Sequence, residues 1–231
     1  MDLAFPPELE TFRREVRDFF ERDYPQDIRQ ALAEGRSLST EEIARSEQAL
    51  GRKGWLASGW PAEHGGPGWS LEQRYIFDEE LARAGAQPPT PMGVIYVGPV
   101  LYTFASPEQQ ARWLPALREG RERWAQGYSE PGAGSDLASL TFSAIAEDGG
   151  WRLNGEKIWT SAAQHADWIF LLARTGGGTR KQEGISFICC EMTRQGVTLH
   201  PIITLDGKHV LNRVTFDNVW VPGDHLIGEP G

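Results

Sequence analysis

A chain of 231 residues, 40% hydrophobic and 24% charged, is long enough to bury a sizeable core as one large domain or two smaller ones. Its net charge of -9 leaves no surplus of cations to pair with phosphates, which argues against a nucleic-acid or anionic-membrane partner. The longest clearly apolar run, Trp168-Ile169-Phe170-Leu171-Leu172-Ala173, falls far short of a membrane span.

At the start, Met1-Asp2-Leu3-Ala4-Phe5-Pro6-Pro7 has neither the basic nor the apolar region of a secretory leader, so a cytoplasmic protein is expected. Pro6-Pro7 opens a predicted helix with Leu9, Phe12, Val16, Phe19 and Phe20 recurring along one face. Ser39-Thr40-Glu41-Glu42, Ser70-Leu71-Glu72-Gln73 and Ser106-Pro107-Glu108-Gln109 each have the capping-box form that starts a helix. Between them, Gly59 to Gly68 is too rich in glycine and proline for either helix or strand. Residues 91–104 fit a further helix, although Gly93, Gly98 and Pro99 weigh against it.

After about residue 122 the pattern changes to strands. Trp151–Leu153 and Glu156–Trp159 around Asn154-Gly155 predict a hairpin with a two-residue turn. Further strands are predicted at Trp168–Arg174, Ile185–Met192, Val197–Thr204 and Val214–Val221, with a mobile loop at Thr175–Gly184. Cys189 and Cys190 are adjacent, so on a strand they point to opposite faces and read as two reduced core thiols. The five histidines show no metal-ligand spacing, and no metal is expected. The predicted fold class is α+β: an all-helical N-terminal domain (1–121) followed by a small antiparallel β-barrel or sandwich (122–231).

Two segments stand out chemically. Gln126-Gly127-Tyr128-Ser129-Glu130-Pro131-Gly132-Ala133-Gly134-Ser135-Asp136 reads as a strand end and a turn with free amides and two hydroxyls. Such a turn is either an anion cradle or a plain Pro-Gly turn with a solvated aspartate. It lacks the third glycine of a dinucleotide fingerprint, at Leu137. In Lys157-Ile158-Trp159-Thr160-Ser161, the tryptophan either stacks on a planar cofactor or fills a barrel core.

Taken together, Tyr128–Asp136 and Asn154–Ser161 closely resemble the acyl-CoA dehydrogenase family. The resemblance continues in Ala166-Asp167-Trp168, Gly184–Phe187 and Phe216–Pro222, and upstream in Gly54-Trp55-Leu56, Trp60–Gly66 and Glu79–Ala82. It covers essentially the whole chain and looks strongest to bacterial members acting on larger or branched acyl groups. Arginine also outnumbers lysine heavily, as in GC-rich bacterial sequences.

The resemblance implies FAD as cofactor and an acyl-CoA thioester as substrate, with an electron-transfer flavoprotein as acceptor and an oligomeric full-length enzyme of fatty acid metabolism. It implies cofactor contacts from Gln126, Gly127, Tyr128, Ser129, Gly134, Ser135, Trp159, Thr160 and Ser161. Ser129 would meet the pyrimidine edge, Trp159 flank the ring and Ser161 face its N5, while Ser135 would also touch bound acyl-CoA and Met92–Phe104 border the acyl tail. In the family the proton-abstracting glutamate lies in a C-terminal helical domain, which should begin where this sequence stops, at Gly231. No catalytic base is therefore assigned: Glu130 belongs to the cofactor turn, and Glu191 is expected to face solvent. Apolar helix faces that normally pack on that domain would be exposed, which predicts poor solubility or a partner. Alternatives are an acyl-CoA oxidase or flavin monooxygenase relative, and a non-catalytic flavin-binding subunit completed by a partner chain.

Overall fold

The computed structural model describes residues 5–231; residues 1–4, which carry part of the leader reading, lie outside the described residues. The chain forms two compact units: residues up to Pro99 together with Trp113–Arg121, and Val100–Arg112 together with Glu122–Gly231.

In the first unit, α1 (Pro7–Arg22) begins at the Pro pair and buries Val16, Phe19 and Phe20, the face its periodicity predicts. A short helix without a sequence-level cap, α2 (Gln26–Ala33), follows. The capping boxes at Ser39 and Ser70 both form, opening α3 (Thr40–Lys53) and α4 (Leu71–Arg83). Phe20, Tyr24, Ile28, Leu50, Ile76 and Phe77 are essentially fully buried, each such side chain contributing about 1.5–3 kcal/mol by leaving water. Glu80, also buried, is held by Arg17 at 2.9 Å through Nε and Nη2 and by Arg13 at 2.8 Å. That bidentate pairing is what makes a buried carboxylate tolerable.

The segment whose glycines weighed against a helix is helical. Met92–Val97 is a π-helix that runs into α5 (Gly98–Phe104). Gly98 is there for space: a Cβ would lie 2.2 Å from the Trp60 ring. Trp60 Nε1 in turn donates to Val94 O at 2.6 Å. The last helix, α6 (Pro107–Arg118), starts at Ser106-Pro107, and its box also forms: Ser106 N donates to Gln109 Oε1 and Gln109 N to Ser106 Oγ.

The second unit is built on one sheet of eight strands: β1 (Trp124–Gly127), β2 (Ser143–Glu147), β3 (Gly150–Ser161), β4 (Trp168–Arg174), β5 (Ile185–Glu191), β6 (Val197–Ile203), β7 (His209–Pro222) and β8 (Leu226–Ile227). The order is β6-β7-β3-β2-β4-β5-β8, with β1 paired to β4 off this path. A helical region followed by a β region is the predicted class. The sheet, however, is open and mixed and not antiparallel throughout: β1 runs parallel to β4 in the register Trp124↔Trp168 to Gly127↔Leu171, and β2 touches β4 in parallel. One face carries the core, including Phe142, Leu153, Ile169, Leu171, Ile188, Val214, Phe216 and Val219.

The predicted hairpin at Asn154-Gly155 is not one. β3 is continuous through it, and the turn falls earlier, at Asp148-Gly149, where both residues have positive φ (51° and 74°) and β2 pairs back onto β3. Asn154-Gly155 instead marks a register shift against β7. Gly155 has φ 133°, and a Cβ there would sit 2.9 Å from the Phe142 ring. The two pairs of residues have the same chemistry, and only the second strand chooses between them. Thr175–Gly184, predicted as a loop, is an irregular connection pinned by Arg174, which donates to the carbonyls of Lys181 and Glu183. Both cysteines are buried and unbridged. Among the described residues no helix is long and apolar enough to cross a membrane, and no cluster of His, Cys, Asp and Glu suits a metal.

Candidate cofactor site

The cofactor turn begins where β1 ends. Glu130 and Ala133 exchange backbone hydrogen bonds at 2.8 and 3.1 Å, which closes Pro131-Gly132 into a tight loop. Beyond it the chain is open: Gly132, Gly134, Ser135 and Asp136 are exposed, and a Cβ on either glycine would meet nothing within 4 Å. Among the described residues, the amides of Gly132, Gly134, Ser135 and Asp136 have no hydrogen-bond acceptor. A run of unsatisfied N–H groups at an open turn suits acceptor oxygens or an anion. Asp136 at its outer end is not simply solvated. It receives Lys181 Nζ at 2.6 and 2.8 Å and Ser139 Oγ at 2.5 Å, which hold its carboxyl below the usual range.

The inner end is fixed by two residues that no periodicity singled out. Lys157 Nζ is fully buried and spends its donors on Glu130 Oε1 (2.9 Å), Leu172 O (2.8 Å) and Tyr128 O (3.2 Å). Glu130, 7% exposed, accepts in addition from Thr141 N (2.7 Å), Thr141 Oγ1 (3.0 Å) and Phe142 N (2.9 Å). Burial pushes the Glu130 carboxyl up, but the Thr141 amide, Lys157 and the Phe142 amide outweigh it and leave it below the usual range. Burial also lowers Lys157, with Glu130 opposing. The only sequence signal was a lysine sharing the inward face of β3 with Leu153.

Trp159 follows. The register of β3 on β7 shifts between Lys157 and Thr160, and Trp159 sits in that irregularity with φ 61°, a region that bulky residues rarely enter. The bulge turns its ring outward, 58% exposed, so the core-filling reading of Trp159 fails. Ile158 N donates to Ser129 O at 2.9 Å, which brings the two predicted segments together. Thr160 lies inside; its Oγ1 is buried and has no partner. Its carbonyl accepts from Asn212 Nδ2 at 3.2 Å. Ser161 is half-buried at the strand end, and Ala162 turns the chain with φ 54°.

Of the other expected residues, Gln126 and Gly127 lie within β1. Gly127 is buried, and a Cβ there would fall 2.4 Å from Leu171 Cδ2, so it serves the packing of β1 on β4. Tyr128 is half-buried, edge-on to Phe170 at 5.7 Å. Gly134 and Ser135 occupy the outer limb of the turn, and no hydrogen bond or ring contact ties Ser135 to Trp159.

Glu191 does not face solvent freely. It lies half-buried, paired with Arg194 and 3.7 Å from Arg112. Arg112 Nη1 lies 3.2 Å from His225 Nε2 and its guanidinium stacks over Trp168 at 5.1 Å. Because Arg112 can only donate, His225 accepts at Nε2 and donates from Nδ1 to Cys189 O at 3.0 Å, which makes it the neutral tautomer. Burial, the largest cause, holds its pKa below the usual value. This network borders a groove of about 1130 Å³ lined by Phe104, Gln109, Arg112, Trp151 and Asp224, among others. Neither the free amides nor Trp159 line this groove, and chemistry rather than volume locates the candidate site.

Two family descriptions match: acyl-CoA dehydrogenase, N-terminal domain, over residues 6–121, and acyl-CoA dehydrogenase, middle domain, over residues 125–219. The chain belongs to the acyl-CoA dehydrogenase family. Among its acyl-CoA dehydrogenase relatives, IpdE1 of Mycobacterium tuberculosis is 42% identical over 192 residues, 83% of this chain and 50% of the relative. The human mitochondrial short-chain specific acyl-CoA dehydrogenase is 32% identical over 194 residues, 81% of this chain and 46% of the relative. The ChsE4-ChsE5 complex from Mycobacterium tuberculosis is similar at a TM-score of 0.85 and 35% identity, covering 100% of this chain and 58% of that one. The Tcur3481-Tcur3483 steroid ACAD matches at a TM-score of 0.85 and 37% identity, covering 100% and 59%. The chain thus spans about half the length of the curated acyl-CoA dehydrogenases it matches.

Proposed function

We propose that this chain forms the FAD-binding portion of an enzyme that dehydrogenates an acyl-CoA thioester between its α and β carbons. The division into a helical domain ending at residue 121 and a β domain from 122 belongs to the same proposal. The observation that carries it is the Ile158 N–Ser129 O bond, which seats an exposed, strained Trp159 beside a turn with four unsatisfied amides. Planar apolar surface next to free donors is what an isoalloxazine, apolar on its faces and rich in acceptors along one edge, requires.

When bound, FAD supplies the two-electron acceptor. Everything else falls to the chain. The Ser129 hydroxyl and the turn amides donate to acceptor oxygens and stabilise charge that builds up there. Trp159 walls the site and excludes water, and the Ser161 hydroxyl is a donor at the strand end. Ser135, on the outer limb, meets the substrate in this reading. Glu130 is not the base, because its oxygens are committed to Lys157, Thr141 and Phe142. The base is assigned to residues outside this sequence.

Two of the similar structures carry paired names, one of them explicitly a complex. This favours a second reading, in which another polypeptide completes the site. The steroid named for one neighbour supports a large acyl group as substrate. An electron-transfer flavoprotein is the proposed acceptor.

The test is a visible-spectrum titration of the purified chain with FAD, followed by anaerobic acyl-CoA. The expected result is a perturbed flavin band that substrate does not bleach. An unperturbed band overturns the reading for this chain alone; bleaching would place the base within these residues.

A further inference from the structure

The buried polar side chains of the second unit, Asn212 and His225 among them, bond across the sheet. The Lys157–Glu130 pair is the charged one at the cofactor turn, with both side chains almost wholly buried. Its atoms join Tyr128 and Glu130 of the cofactor turn, Thr141 and Phe142 before β2, Lys157 on β3 and Leu172 on β4. Every donor of the ammonium is used, and the Phe142 ring lies 4.8 Å from it. Removing two charges from water is costly, and an apolar pair of similar volume often serves stability as well or better.

The pair does, however, define one geometry. Tyr128 O is pulled toward β3 by the ammonium while Glu130, two residues on, is held by both the ammonium and the amides of Thr141 and Phe142. Between them Ser129 O is free to accept Ile158 N, and the turn leaves the sheet in one direction with its unsatisfied amides outward. We infer that Lys157 and Glu130 are positioning residues whose role is to hold the turn and the Trp159 strand in cofactor-binding register. This rests on the FAD reading above, and it assigns to two buried residues a part in binding.

The experiment compares the chain with Lys157→Met, Glu130→Gln and the double variant, using three readouts: thermal midpoint, FAD affinity from the perturbed flavin band, and hydrogen exchange of the bonded amides of Glu130, Ala133 and Ile158. Each single change leaves a buried partner unsatisfied and lowers the midpoint. The double variant removes both charges and is expected to recover most of the midpoint. Its FAD affinity is expected to stay at least tenfold weaker, and the bonded amides of Glu130, Ala133 and Ile158 to exchange at least tenfold faster. Recovery of FAD affinity and exchange along with the midpoint overturns the inference and leaves a purely stabilising pair. A double variant that does not fold also overturns it, since the pair then serves the sheet. If the unsubstituted chain binds no FAD, the cofactor reading falls by itself; the exchange data then decide the pair, faster turn exchange supporting the positioning role and unchanged exchange ending it.

Discussion

The amide of Ile158 donates to the carbonyl of Ser129 across 2.9 Å, joining two segments nearly thirty residues apart in the chain. One bond of this kind contributes only about 1 kcal/mol. Its importance is geometric, because it fixes the side chain that follows Ile158 beside the turn that follows Ser129.

Trp159 holds a left-handed backbone at φ 61°, which costs about 1–3 kcal/mol in a bulky residue. Trp159→Gly relieves that strain, adds chain entropy to the unfolded state and removes a ring that is mostly exposed. The unfolding free energy is therefore expected to change by less than about 1 kcal/mol in chemical denaturation, while FAD affinity falls sharply. A large loss of stability would mean that the ring packs in a way its exposure belies.

Gly127→Ala is expected to behave in the opposite manner. The added methyl meets Leu171 Cδ2 at 2.4 Å within a buried strand pair, an overpacking that costs about 1–3 kcal/mol. Denaturant unfolding checks this, and an unchanged midpoint would show that β1 can move off β4.

The acid limb of the stability profile carries His225. Burial depresses its pKa, with Arg112 at Nε2, the nearby Arg194, and Glu191 and Asp224 as the charged groups that face it. The folded form thus stays neutral while the unfolded form protonates near pH 6.5. Its contribution is fully present above about pH 6.5 and is lost as pH falls toward the depressed folded value. His165, also depressed mainly by burial, acts in the same direction. His225→Gln should flatten the fall in thermal midpoint from pH 7 to 5 without abolishing it. A slope that does not change would remove His225 from the account.

Ser39→Ala should destabilise by about 1 kcal/mol, because Ser39 Oγ accepts Glu42 N at 3.2 Å while Glu42 caps Ser39 N at 2.8 Å. With the Arg36 fork as the largest cause, the Glu42 carboxyl is pushed down to about 2, so its half of the cap stays charged well into acid. Equal stability of Ser39→Ala and the parent would show that Arg36 alone holds the helix start.

Much of this architecture was legible because it follows local rules. Proline pairs, capping boxes and one-face periodicity located α1, α3, α4 and α6, and short apolar runs between turn residues located β4 to β7. What escaped depends on distant partners. Asn154-Gly155 and Asp148-Gly149 are equivalent as turn chemistry, and only the pairing of β3 with β7 turns the first into a bulge. Gly98 reads as a breaker until Trp60 is seen packed against it. Glu191 reads as an exposed strand residue until Arg112, from α6, and Arg194 arrive. At the candidate site, the segments around Ser129 and Trp159 were visible by composition, whereas Lys157 and Asp136–Lys181 were not. Burial of a lysine and the far end of an ion pair are properties of the assembled sheet.

The two adjacent cysteines have a practical use. Cys190 points into the core of the sheet and Cys189 to the other face, and burial raises both thiols, Cys190 to about 12. Neither is a nucleophile while the strand is in place. A thiol reagent therefore reports opening and nothing else, and mapping which sulfur is labelled first tells which side of β5 separates first. The molecule carries its own pair of unfolding clocks, one on each side of the same strand.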